Sequence, residues 1–235
     1  MTDLLAPIRA QAQGRSMDRE FSRLYRIMSS RSFRHGTATG GEEPYYVYDY
    51  PASLELEVRE RIRKLANDLQ KIPAFGDDYA PKVLQIDLYD VALAILEERG
   101  ILERLVQAEP GLHANVSDNM QTDRFLRLLD PIVGADTRQV PRHIADLYRQ
   151  ARERNEADII FVTGVGEVYP YMRAHTVLEN LQGLIDDCPL VLFYPGVYTQ
   201  GSRTGSSLEL FGALEANNYY RARSLRAMTP PEQQQ

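Results

Sequence analysis

The chain of 235 residues has no tryptophan, a single cysteine and no long apolar run. Cys188 by itself cannot form an internal disulfide or a thiolate metal site, which suits a reducing compartment. The longest apolar runs, ADIIFV and PLVLFY, are far too short to span a bilayer. Arginines also interrupt the first 30 residues, where a signal peptide needs an apolar block. We therefore expect a cytoplasmic protein with no membrane partner.

Sequence motifs of the common nucleotide-binding and hydrolytic enzymes are also missing. A P-loop requires GxxxxGK followed by Ser or Thr, because glycine amides wrap the phosphates and the lysine reaches them. The corresponding turn here is YDYPASLE, which has neither glycine nor lysine. GVGEVYP lacks the third glycine of a dinucleotide-binding fingerprint, and no serine lies in a GxSxG elbow. These absences argue against ordinary ATP hydrolysis and serine-nucleophile chemistry.

Apolar periodicity predicts strands that alternate with helices. The predicted strands are YYVYD at Tyr45–Asp49, KVLQIDL, DIIFVTG and PLVLFYPG, with SLELFGAL near Ser207 as a further edge strand or turn. Helices are predicted over Ser16–Arg31, Ser53–Lys71 with Ser53 as N-cap, Tyr89–Gln107, Asp123–Leu129, PRHIADLYRQARER and Tyr171–Asp187. The alternation indicates an α/β fold, a mostly parallel sheet with helices on both faces. It resembles a nucleotide-binding, P-loop-like core without the Walker A loop.

The Gly-rich segment from Gly36 to Gly41 is the best domain boundary in the sequence. It separates a helical N-terminal appendage, residues 1–41, from an α/β domain over residues 42–228. Residues 229–235, rich in Pro and Gln, are expected to form a disordered tail.

Charge is distributed unevenly along the chain. Residues 1–35 hold seven arginines and three acidic residues, a net charge of +4, so the other 200 residues total −10. Arg15, Arg19, Arg23 and Arg26 line one face of the predicted N-terminal helix, where they can bind phosphates or an acidic protein partner. The net charge of −6 argues against DNA as the main ligand. Codon usage in a GC-rich genome also produces an arginine bias that has no functional meaning.

The loops TGVGEVYP and FYPG follow two predicted strands. Because ligands of open α/β sheets bind outside the carboxyl ends of the strands, we expect these loops to line a crevice, with Glu167 at the tip of the first. Glu167 can act as a general base or magnesium ligand if Asp49, Asp87 or Asp90 converges on it. Carboxylates at strand ends more commonly cap helices and solvate loops, which is the alternative interpretation.

Tyrosine is the aromatic residue that this chain uses most, with 14 tyrosines against 7 phenylalanines. Near the last strands, tyrosines and arginines can line a protein interface, stack on nucleic-acid bases or simply pack in the core. The candidate residues for the crevice and for partner binding are Glu167, Tyr169, Arg173, His175, Tyr194, Tyr198, Tyr219, Tyr220 and Arg221. His175 shares a predicted helix face with Glu179, but two residues are too few for a zinc site. We expect no metal and no cofactor.

Five sequence blocks between about Glu42 and Leu225 carry a family resemblance. They are GGEEPYYVYDYP, VLQIDLYDVALAIL, IIFVTGVGEVYPYMRAHTVLENLQGLIDDCPLVLFYPGVY, LELFGAL and NNYYRARSL. In this order they resemble the BrxB family, proteins encoded in bacterial phage-exclusion (BREX) operons. The resemblance implies a part in anti-phage defence and host methylation, beside the operon's methyltransferase, its phosphatase-like PglZ protein and its large ATPase. No catalytic activity is carried over with it.

Residues and resemblance together favour a non-catalytic adaptor of a BREX defence complex. Two alternatives stay open. One is a cryptic nucleotide-binding or metal-dependent phosphoryl-transfer enzyme that uses Glu167 and strand-end carboxylates. The other is a subunit that contacts DNA through the basic N-terminal helix.

Overall fold

A parallel sheet lies at the centre of the computed structural model, which describes residues 6–35, 44–74, 76, 78–113, 124–134, 137–201, 205–210, 214–218 and 222–231. The parallel strands are β1 (Tyr45–Tyr50), β2 (Val83–Asp87), β3 (Ile159–Thr163), β4 (Leu190–Gly201) and β7 (Arg223–Ser224). Their order across the sheet is β2-β3-β4-β1-β7. The mostly parallel sheet predicted from the sequence is thus confirmed.

The long strand β4 takes part in two kinds of pairing. Its first half runs parallel to β1, from the pair Tyr45 and Leu190 to the pair Tyr50 and Pro195, and also parallel to β3. Its second half turns away and pairs antiparallel with β5 (Gly205–Leu210), which pairs in turn with β6 (Leu214–Asn218). The segment near Ser207 therefore forms a strand.

Helices cover both faces of the sheet, as predicted. On one face lie α1 (Ala6–Met28), α2 (Arg31–Arg34) and α3 (Glu55–Leu69). On the other lie α4 (Leu88–Glu98), α5 (Leu102–His113), α6 (Arg124–Val133), α7 (Gln139–Glu153), α8 (Val165–Val168) and α9 (Ala174–Leu181). None of the helices that the structure describes has the length and apolar character that a membrane crossing needs.

The alternation of side chains along the strands builds two separate cores. In β1, Tyr46 and Tyr48 point to the face of α1–α3, whereas Tyr45 and Val47 point to the face of α4–α9. All four side chains are buried, as are nearly all those of β3 and of the parallel half of β4. Strands buried on both faces appear in a sequence as continuous apolar runs, which is why these were predicted correctly.

Several helix predictions differ from the structure: α1 begins at Ala6, ten residues before the predicted start at Ser16, and α6 continues to Val133. The helix predicted over Tyr89–Gln107 is two helices, because Gly100 adopts φ +64°, a left-handed conformation that ends α4. The helix predicted to start at Ser53 begins at Glu55, after a short 3₁₀ turn and without a side-chain cap. The helix predicted over Tyr171–Asp187 has regular hydrogen bonding only within α9.

The N-terminal helices share a core with the sheet. Leu24 and Met28 of α1 and Phe33 of α2 are fully buried, and the Phe33 ring packs 4.6 Å, centroid to centroid, from the ring of Tyr46. Tyr48 packs edge to face on Phe21. The domain boundary at Gly41 stays a prediction, but the helices before it contribute directly to one of the two cores.

Candidate functional site

The loop after β3 is fixed by a close contact between Gly164 and Asp87. Gly164 has φ +79°, and a Cβ atom there would lie only 2.2 Å from Oδ1 of Asp87. The Asp87 carboxylate accepts hydrogen bonds from the Tyr89 amide and from the Thr163 hydroxyl, both at 2.9 Å. Asp87 therefore caps α4 and ties β2 to the loop that carries Glu167.

Glu167 forms an ion pair with Arg59, whose guanidinium Nη2 donates to Oε1 of the carboxylate. Arg59 belongs to α3, which leaves β1 on one face of the sheet, and Glu167 belongs to α8, which leaves β3 on the other. Since β1 and β3 flank β4, this pair crosses the carboxyl edge of the sheet at β4. It is the place where open α/β sheets bind ligands.

The ion pair belongs to a small network at the start of α3. Glu55 Oε1 lies 3.8 Å from Arg59 Nη2, and its other oxygen accepts a 2.7 Å hydrogen bond from the Tyr50 hydroxyl. Burial alone lowers the pKa of Arg59, but the hydrogen bond and charge of Glu167 outweigh it and raise the pKa above its ordinary value. Burial and the neighbouring Glu55 raise the pKa of Tyr50. The network is therefore charged at Arg59 and protonated at Tyr50 over the physiological range.

Asp49, at the end of β1, holds the C-terminal part of the chain. Its main-chain oxygen accepts a 2.8 Å hydrogen bond from Arg226 Nε, and its carboxylate Oδ1 lies 3.3 Å from the same nitrogen. Its other carboxylate oxygen accepts from the Tyr198 amide at 3.4 Å. Asp49 thus fastens β1 to β4 and to the segment after β7.

The strand-end carboxylates do not form a metal centre. Asp87 caps α4, Asp49 pairs with Arg226, Glu167 pairs with Arg59, and Asp90 is exposed. Among the residues that the structure describes, no three His, Cys, Asp or Glu side chains are grouped so as to hold a metal ion. The arrangement is a set of local ion pairs and caps, without the converging carboxylates that two-metal phosphoryl transfer uses.

The other predicted crevice residues occupy different environments. Tyr194 and Tyr198 are only 3% and 7% exposed, and the Tyr198 hydroxyl donates to the Ala222 carbonyl at 2.7 Å, so both pack in the core. Tyr169, two positions after Glu167, is half-buried, whereas Arg173 is exposed at the start of α9. Tyr219, Tyr220 and Arg221 lie outside the described residues.

His175 and Cys188 are poor candidates for chemistry. Burial lowers the pKa of His175; Arg173 lowers it further, and Glu179 only partly offsets this, so the imidazole is neutral at pH 7. Burial, helped by Asp187, raises the pKa of Cys188 to about 12, so its thiol is protonated and unreactive.

The four arginines of α1 are not equivalent. Arg15, Arg19 and Arg26 are exposed. Arg23 is half-buried: it pairs with Glu20 at 2.7 Å and donates to the main-chain oxygens of Leu225 and Met228 at 3.0 and 2.7 Å. Arg23 thus anchors the chain after β7 to α1, and three of the four arginines remain on the surface.

An apolar pocket of about 190 Å³ opens beside Glu167 and was not predicted from the sequence. Its walls come from α4, α5, α6 and α8 and from the segment after α8. The ring of Phe125 on α6 packs edge to face on the ring of Tyr171, with 5.6 Å between the ring centroids. Val106 and Tyr89, both in the lining, are 60% and 47% exposed. Among the lining residues that the structure describes, Glu109 and Glu167 are the charged ones. Tyr89 and Val106, apolar residues outside the buried faces of α4 and α5, are the signal that could have pointed to this surface.

Comparison with known proteins places these features in a family. The family model described as "BREX protein BrxB" matches residues 84–225. A relative from Bacillus cereus (strain H3081.97), also described as BREX protein BrxB, is 35% identical over 195 residues, covering 83% of this chain and 90% of the relative. Another of the same description, from Escherichia coli O9:H4 (strain HS), is 27% identical over 215 residues, covering 92% of this chain and 94% of the relative. No solved structure matches the chain. The chain therefore belongs to the BrxB family.

Proposed function

We propose that the chain is a non-catalytic adaptor of a BREX anti-phage defence complex, where it supports phage restriction and host DNA methylation. As a member of the BrxB family it is a component of a BREX system. The observation that carries the adaptor role is the Arg59–Glu167 ion pair, because it occupies the sheet edge where an enzyme of this architecture exposes its ligand-binding groups. The place of action that we propose is the cytoplasm.

The first turn of α3 is unsuited to a phosphate. In nucleotide-binding folds the helix after the first strand presents free amides and a positive dipole end to the phosphates. Here that turn carries Glu55 and Glu57, and the Pro51 ring before it has no amide hydrogen to donate. Both carboxylates repel a phosphate. This supports a protein that has the architecture of a nucleotide-binding sheet but does not bind a nucleotide at this edge.

The apolar pocket beside Glu167 suits a protein partner better than a metabolite. Small-molecule sites usually measure about 300–1,000 Å³, whereas this pocket of about 190 Å³ has room for a large apolar side chain. Buried anchor side chains of that kind dominate the affinity of protein interfaces. The proposed partners are the other proteins of the system, namely the phosphatase-like PglZ protein, the large ATPase and the methyltransferase.

Co-purification tests the proposal. The tagged chain is purified from cells that express the whole operon, and the same is done with Glu167→Ala. An adaptor retains at least one of the operon's proteins in both preparations, since removal of the Glu167 carboxylate leaves the apolar walls of the pocket intact. A metal-dependent phosphoryl-transfer activity that the parent chain has and Glu167→Ala lacks would overturn the proposal in favour of an enzyme.

A further inference from the structure

A groove of about 780 Å³ lies between α1 and α3, on the face of the sheet opposite to the apolar pocket. Its floor is apolar, formed by Phe21 and Tyr25 of α1 and by Leu65 of α3. Phe21 and Leu65 are 8% and 4% exposed and belong to a core that reaches the sheet, so the floor is part of the packed fold. The groove is therefore a built feature of the fold and not a gap between mobile side chains.

The rim of this groove is basic in a protein that is acidic as a whole. Four cations line it, Arg26, Arg61, Lys64 and Lys71, against the two carboxylates of Asp18 and Asp68. The chain has only three lysines, and two of them stand here. A net positive rim above an apolar floor is the complement of a helix with one acidic and one apolar face.

Three of the four positive charges on the rim are accessible, whereas Arg61 is only 21% exposed and pairs with Asp18 and Glu57. Lys64 and Lys71 are 77% and 73% exposed, and they share one partner, Asp68, at 2.7 and 3.4 Å. Arg26 has no ion-pair partner among the residues that the structure describes. Ion pairs at such exposure are weak, so a carboxylate from another protein can compete for these lysines.

We propose that the groove between α1 and α3 binds an acidic amphipathic segment of a partner protein, with apolar side chains on Phe21, Tyr25 and Leu65 and carboxylates on the basic rim. This inference rests on the adaptor role and locates a second surface for it. Because the groove and the pocket beside Glu167 lie on opposite faces of the sheet, the chain can hold two partners at once.

The lining favours a protein segment over DNA. A duplex presents a continuous row of phosphates, which Asp18 and Asp68 on the rim repel. Its backbone also has no apolar group to cover the floor of the groove. An amphipathic protein helix can cover the apolar floor with its apolar face and pair its carboxylates with the basic rim.

Carbodiimide cross-linking tests the proposal, because it joins a lysine amine to a carboxylate in direct contact. The complex is purified from cells that express the whole operon, cross-linked, digested and examined by mass spectrometry. Lys82 is the matched control, since it is exposed and lies outside the groove. Cross-links from Lys64 or Lys71 to acidic residues of another protein, with none from Lys82, are expected. Intermolecular cross-links at Lys82 alone, or between two copies of this chain at Lys64 and Lys71, would overturn the proposal.

Charge reversal provides the second readout. The double variant Lys64→Glu, Lys71→Glu should weaken partner binding by at least about tenfold, whereas Lys82→Glu should leave it unchanged. Both variants should keep the parent's circular dichroism, and the double variant, which loses two exposed ion pairs with Asp68, should lower the melting temperature by no more than a few degrees. Full retention of the partner by the double variant would contradict the proposal that the groove binds a partner, but would not contradict the adaptor role. Loss of duplex DNA binding in the double variant, without protein cross-links, would assign the groove to DNA instead. A parent chain that retains no partner at all contradicts both proposals.

Discussion

The guanidinium of Arg59 and the carboxylate of Glu167 form an ion pair between helices that lie on opposite faces of the sheet. The residues are 108 positions apart in sequence and meet at the carboxyl edge of the parallel sheet, where the parallel half of β4 ends. In an enzyme of this architecture the ligand binds at this edge of the sheet. Here it is filled by a contact between the protein's own side chains.

Breaking the Arg59–Glu167 pair should cost little stability. The two side chains are 27% and 37% exposed, so solvent screens their attraction. A double-mutant cycle with Arg59→Met and Glu167→Gln should give a coupling free energy of about 0.5–1 kcal/mol, measured by urea denaturation. A coupling free energy of zero would mean that the ion pair does not persist in solution.

Replacing Gly164 by alanine should be strongly destabilising. The new Cβ would collide with Asp87 Oδ1, and φ +79° disfavours any residue other than glycine. Moving Asp87 away would also lose the cap of α4 and the hydrogen bond from Thr163. We expect a loss of about 2–4 kcal/mol in the free energy of unfolding.

The matched control for that substitution is Gly14→Ala, the same change inside α1. A Cβ at Gly14 meets nothing within 4 Å, so alanine should raise helix stability by up to about 1 kcal/mol. Similar melting temperatures for the two variants would show that the contact between Gly164 and Asp87 does not hold the loop.

His175 should make the fold less stable in mild acid. Its folded-state pKa lies below the ordinary value of 6.5, so as pH falls below 6.5 the unfolded chain takes up a proton that the folded chain refuses. The free energy of unfolding then decreases, by at most about 1.4 kcal/mol per pH unit for one proton. Between pH 7.5 and 5.5, His175→Gln should therefore lose less stability than the parent chain. Equal losses in urea denaturation at the two pH values would contradict this prediction.

The apolar pocket should be required for partner binding. Val106 is 60% exposed, so Val106→Glu should leave the melting temperature unchanged while placing a charge where an apolar anchor docks. We expect at least about a tenfold loss of affinity for the partner, measured by biolayer interferometry with the co-purified protein. Leu184→Glu, at 48% exposure and outside the pocket, is the control and should bind like the parent chain. Equal binding by the two variants would remove the pocket from the interface.

The strands and the two-faced sheet were predictable from the sequence because a fully buried parallel strand leaves a local signal. The first four residues of Ile159–Thr163 are all apolar, and no long-range contact is needed to recognise such a run. The break at Gly100 was missed because apolar periodicity continues through it, although a glycine at that spacing is a common helix end.

The candidate site was less predictable because its contacts join distant parts of the chain. Glu167 was singled out from its place in the loop, but nothing near it in sequence points to Arg59 on α3. Tyrosine packs in cores and also lines interfaces, so its residue type alone does not predict the burial of Tyr194 and Tyr198 within the sheet. Arg23 belonged to the predicted arginine stripe, yet its half-buried position is set by carbonyls about 200 residues later.

Phage restriction by the whole operon tests the adaptor role most directly. The efficiency of phage plating is measured in cells whose operon carries Glu167→Ala, Val106→Glu or the parent chain, with co-purification from the same cells. The adaptor role predicts that Glu167→Ala restricts phage and retains its partner like the parent chain, whereas Val106→Glu loses both. Loss of restriction in Glu167→Ala with the complex fully retained would contradict the adaptor role. Glu167 would then be required for restriction but not for assembly, which indicates a catalytic function.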